Sequence, residues 1–62
     1  MLSEIQELRN DAEALVESIR LDWRDLAELP LTQEQRQGIR THIQWAQEEL
    51  GGLLAELDAL DA

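Results

Sequence analysis

A chain of 62 residues with 14 acidic and 5 basic side chains and no cysteine has room for one domain, with no disulfide or thiolate metal site to staple it. The net charge of −9 and the absence of lysine argue against non-specific nucleic-acid binding, because affinity for the phosphate backbone comes from Lys and Arg. No apolar run approaches the roughly 18 residues of a spanning helix, and Glu4, Glu7 and Asp11 stand where a signal peptide would carry its apolar core. A cytoplasmic protein without a membrane partner is expected.

From the N-terminus, apolar residues recur at Ile5, Leu8, Ala12, Leu15, Ile19, Leu26 and Leu29, with Asp22 as the one polar break. The steps alternate three and four, which is a heptad seam. It predicts helix 1 over about 3–28, with Ser3 and Ser18 as ordinary helix positions. Leu2, Val16 and Trp23 form a flank beside the seam, and Ala14 and Leu21 lie on the opposite side. Apolar surface therefore spreads over well more than half the circumference, beyond what one partner helix covers.

Leu29-Pro30-Leu31-Thr32 supplies the turn, over 29–32. A residue before proline is pushed out of the α region, so helix 1 should stop near Leu29. Thr32 is a good N-cap for the next helix, and Gln35 completes a capping box of the Thr-x-x-Gln type.

The second seam reads Arg36, Ile39, Ile43, Ala46, Leu50, Leu53, Leu57, Leu60 and predicts helix 2 over about 33–60. Gly51-Gly52 is its weak point, since a glycine inside a helix costs about 1 kcal/mol relative to alanine. The pair could end helix 2 and start a short third helix. The heptad phase runs through without a slip, so one continuous helix is expected. Leu54 lies on one flank, and a file at seven-residue spacing, Gly38, Trp45, Gly52 and Ala59, lies on the other. Small residues around a tryptophan suggest another helix lying close.

So short a connection makes the helices antiparallel neighbours. Positions summing to about 62 then face one another: Ala12 with Leu50, Ala46 with Leu15 or Val16, Ile19 with Ile43, Ile5 with Leu57. The same rule puts Asp22 beside Arg40 and close to Arg36, as a structural ion pair or as a device that fixes register or oligomer state. Residues 1–62 read as a single all-α domain, an antiparallel helical hairpin dimerising into a four-helix bundle, because a small core gains most cheaply from a second copy of itself.

Charge is unevenly placed. Residues 1–17 and 46–62 hold ten acids against Arg9 alone, a net −9, whereas residues 18–45 hold four acids and four arginines, a net zero. The neutral turn half also carries both tryptophans and His42, the only histidine. Arg and Trp are enriched where binding energy concentrates. Arg20, Arg24, Arg36, Gln37, Arg40, Gln44 and Trp45 are therefore the candidate partner-binding residues, against the simpler possibility that the arginines only pair with neighbouring acids, as Arg24 would with Glu28. The acidic end reads as a solubilising pole or as a phosphate-like surface for a basic partner.

Catalysis finds no footing. No Glu lies three residues before His42 to make the Glu-x-x-His pair of helical di-metal sites, and no Cys nucleophile, Gly-rich phosphate loop or Ser–His–acid arrangement is present. No enzyme activity, cofactor or metal is expected.

Chain length, turn position and heptad phase together resemble the small plasmid copy-number regulators of the Rop type. That resemblance implies a hairpin that dimerises into a four-helix bundle and binds paired RNA loops. The residues themselves point first to a non-enzymatic acidic interaction module (an adaptor, inhibitor or anti-activator, of the kind phage and bacterial accessory proteins supply) whose partners are itself and another protein. A nucleic-acid-binding regulator on the Rop plan is the alternative.

Overall fold

A computed structural model describes residues 3–61. Helix α1 spans Glu4–Glu28 and helix α2 spans Gln33–Asp61. They lie antiparallel as the expected helical hairpin, with extents of 44 × 19 × 14 Å. Among the described residues there is no strand, and no helix is long and apolar enough to cross a membrane. Leu2, expected on the Val16 flank, lies outside the described residues.

Both ends of α1 and the start of α2 are held by specific hydrogen bonds. Ser3 is extended (φ −73°, ψ 162°), and its Oγ accepts from the Gln6 amide at 3.2 Å. It is the N-cap of α1 and not the ordinary helix position expected, because a serine just outside the helix satisfies an amide that has no intrahelical acceptor. Glu4 and Glu7 in the first turn sit at the positive end of the helix dipole.

At the other end of α1 the Leu29 amide donates to the Asp25 carbonyl at 3.0 Å. One residue on, the ladder must fail: the Leu26 carbonyl would take its bond from residue 30, and Pro30 has no N–H. Arg36 of α2 fills the gap, donating from Nη1 to the Leu26 oxygen at 3.1 Å. The Leu31 amide donates to the Leu29 carbonyl at 2.9 Å, closing a three-residue turn about Pro30. The predicted capping box forms, with the Gln35 amide donating to Thr32 Oγ1 at 3.1 Å and the Thr32 amide to Gln35 Oε1 at 2.9 Å.

The Arg36 bond yields a prediction. It is part-buried and made by a charged donor to a carbonyl without another helical partner, so Arg36→Ala is expected to cost about 1.5–3 kcal/mol. Arg36→Met, which keeps the apolar stem, should recover little of that loss if the bond matters. Urea unfolding followed by circular dichroism reads both.

Helix α2 is continuous through Gly51 and Gly52. Neither has a positive φ, so nothing in the backbone requires glycine there. The core is small. Among the described residues only Ala12, Leu26, Ile43 and Ala46 are buried, while Leu8, Leu15, Ile19, Ile39, Leu50, Leu53 and Leu57 are half-buried along the same seam. Eight large apolar side chains among the described residues remain exposed, including Val16, Leu21, Trp23, Trp45 and Leu54. The radius of gyration is 14.3 Å, against about 11 Å for a compact domain of this length. An elongated pair of helices has too little interior to hide its apolar residues.

Candidate partner-binding surface

Asp22, the polar break of the first seam, does not sit beside Arg40. Its Oδ2 lies 2.5 Å from His42 Nδ1. The reason is rotational. Arg40 and His42 are two residues apart and so about 200° apart around α2. At heptad spacing Asp22 leans toward the His42 flank, whereas Arg40 lies on the flank shared with Leu54. Asp22 is 19% exposed and His42 46%. This is the only side-chain ion pair joining α1 to α2 among the described residues, and its charge on the histidine side exists only when the ring is protonated.

One turn along α2, the Trp45 indole lies against the His42 ring, with centroids 5.7 Å apart and planes tilted by 30°. Trp45 is 52% exposed. The arrangement is a layered support in which a carboxylate on α1 fixes a histidine on α2, and that ring backs an exposed indole. A large aromatic has few rotatable bonds to immobilise when it is buried against a partner.

The other candidate residues are not brought together with Trp45. Arg20 pairs with Glu17 at 3.5 Å and Arg24 with Glu28 at 3.3 Å, so both arginines are engaged by acids on their own helix, as the simpler possibility required. Arg36 is half-buried and committed to the Leu26 carbonyl. Gln37, Arg40 and Gln44 are exposed and share a stripe of α2, since steps of three and four residues keep side chains on one face. Trp45 is five residues from Arg40, which turns it about 140° away. The expected single surface therefore resolves into two stripes of α2: one of Gln37, Arg40 and Gln44, the other of Trp45 with His42.

A third surface was not anticipated as a site. Between the helices, in the acidic half, runs an open groove of about 400 Å³ walled by Ala12, Val16, Leu50, Leu54 and Leu57, with Arg9 and Glu13 also lining it. Val16, Leu54 and the half-buried leucines were legible as seam and flank residues, but only the antiparallel packing shows that they enclose one depression. The glycines of the Gly38–Trp45–Gly52–Ala59 file are open on the outer side of α2, where an added Cβ would meet nothing within 4 Å. Among the described residues no three His, Cys, Asp or Glu side chains gather to hold a metal ion.

Comparison with protein-family models, with curated proteins and with solved structures gives no significant match.

Proposed function

We propose that this chain is a non-enzymatic interaction module that works as a homodimer, a four-helix bundle of two hairpins, and that it engages another protein through the surface around Trp45. The observation that carries this reading is the Asp22–His42–Trp45 arrangement. A half-exposed tryptophan, braced from beneath by a ring that is itself anchored on the other helix, has the chemistry of a residue on which binding energy concentrates. Dimerisation rests on the exposed apolar surface, since four buried residues make a core that a second copy would enlarge. With net charge −9, such a module suits an adaptor or inhibitor for a protein rather than a polyanion binder.

The nucleic-acid alternative loses support from the fate of the arginines. Arg20, Arg24 and Arg36 already have partners within the hairpin, leaving Arg9 and Arg40 for phosphate. A salt series on RNA and DNA separates the two readings. True phosphate contacts would give a log–log slope near −0.7 to −0.9 per contact, and no binding at low salt is the expected result.

Trp45→Ala tests the protein-binding surface. Because the indole is half exposed and off the seam, its removal should cost less stability than the roughly 2–5 kcal/mol of a buried Leu→Ala. Loss of the partner, by contrast, should correspond to about 2 kcal/mol or more in affinity. The comparison is a co-purification from the native host with wild type, Trp45→Ala and, at the acidic pole, Glu56→Ala with Asp58→Ala. A partner retained by Trp45→Ala but lost by the acidic pair would move the site to the acidic end.

A further inference from the structure

The apolar groove and Trp23 lie on one broad side of the hairpin, and their positions along it are related. On α1, Arg9, Val16 and Trp23 follow one another at seven-residue spacing, and Val16 is the midpoint of Glu4–Glu28. On α2, Arg40, Gln47 and Leu54 do the same, and Gln47 is the midpoint of Gln33–Asp61. The groove places Arg9, Val16 and Leu54 on one face of the hairpin, so the two files run side by side. Each file is apolar at one end, basic at the other and centred on its helix.

Resting on the homodimer reading above, we propose that this side is the self-association face and that the second copy lies end for end across it, its Trp23 seated in the groove. A two-fold axis through the levels of Val16 and Gln47 lays Val16 on Val16 and Gln47 on Gln47. The same axis brings Trp23 of each copy over Arg9 of the other, beside Leu54. The indole then enters a largely apolar depression lined also by Arg9 and Glu13, where the guanidinium can make a cation–π contact with it. Glu13 and Arg20, on the adjoining stripe of α1, come to the same level with opposite charge.

Charge selects this orientation over the side-by-side one. The half of the chain holding both termini carries net −9 and the turn half carries zero. Two copies with their turns together would stack −9 on −9 at a helix separation of about 8–10 Å, roughly one Debye length at physiological salt. Turned end for end, each acidic half meets a neutral half bearing four of the chain's five arginines. The last turn of α2, in the acidic half, carries no basic residue of its own, and end-for-end packing sets the arginine-bearing turn half of the second copy beside it. The side has the size required as well. Extents of 44 × 19 Å span about the 800 Å² that each partner of a standard interface contributes. Trp45 stays outside the contact and free for another protein.

The test uses full-length single-cysteine variants, since the chain has no cysteine of its own. Sedimentation first establishes whether each is a dimer; a monomer overturns the homodimer reading and this proposal with it. In the dimer, oxidised Val16→Cys should form a covalent pair, whereas Leu21→Cys on the far side of α1 should not. A spin label at Glu34→Cys, in the first turn of α2, should give a label-to-label separation approaching the 44 Å length of the hairpin. Trp23→Ala should weaken dimerisation about tenfold or more, and Trp45→Ala less than about twofold. A dimer with labels within about 20 Å, as neighbouring helices place them, would overturn the orientation and leave dimerisation standing. A dimer whose Val16→Cys fails to cross-link would overturn the face.

Discussion

Replacing Ile43 with alanine is expected to remove most of the stability of this protein. Ile43 is 4% exposed and is the largest side chain in the core besides Leu26. Deleting buried methylenes from such a site costs about 2–5 kcal/mol, made up of lost transfer free energy and the cavity left behind. A 62-residue chain has only about 3–9 kcal/mol to lose at the usual 0.05–0.15 kcal/mol per residue. The cavity cannot be closed cheaply, because the neighbouring Ala46 is fully buried and has no side chain that could reach into the void. Urea titration followed by helicity should show the midpoint falling by half or more. A shift as small as that of an exposed-site control such as Leu21→Ala would mean that the seam is not where the apolar energy is gathered.

The second large effect runs the other way. Gly51 and Gly52 lie inside α2 with ordinary helical φ and with nothing within 4 Å of an added Cβ. Each glycine to alanine change should stabilise by roughly 0.5–1 kcal/mol, through a less flexible unfolded chain and a better helix former. The double variant should gain about 1–2 kcal/mol, as a rise in the urea midpoint without a change in slope. The outcome also locates the dimer contact. Gly52 belongs to the file with Gly38, Trp45 and Ala59, and a helix packed closely against that file would leave no room for a methyl group. The proposed dimer leaves that file outside the contact, so Gly52→Ala should leave dimerisation unchanged; weakening by Gly52→Ala but not by Gly51→Ala would move the contact to the file.

The hairpin could be read from the sequence because three independent signals coincide. Two seams of alternating three- and four-residue steps flank one proline, and Thr32 with Gln35 marks the start of α2. The site was less legible, and the reason is angular. A seam read as a single line does not say which flank a polar residue leans toward, so it pairs Asp22 with Arg40, whereas in the structure Asp22 meets His42. The relevant cue is the side of the seam on which Asp22 sits. Its heptad class adjoins the flank that carries His42, while Arg40 adjoins the other. Arg40 and Trp45 are close in sequence but lie on different stripes of α2 for the same reason: residues five apart on a helix point in different directions. The role of Arg36 had a readable signal in Pro30, because a proline four residues after Leu26 leaves a carbonyl that some donor must satisfy.

The claim that the hairpin is half of a working unit is tested most directly by sedimentation equilibrium at micromolar concentration, with circular dichroism on the same samples. The account predicts a mass of twice 7.1 kDa with the helicity of the two-helix fold, and loss of both together on dilution. A mass of 7.1 kDa with full helicity retained would contradict it.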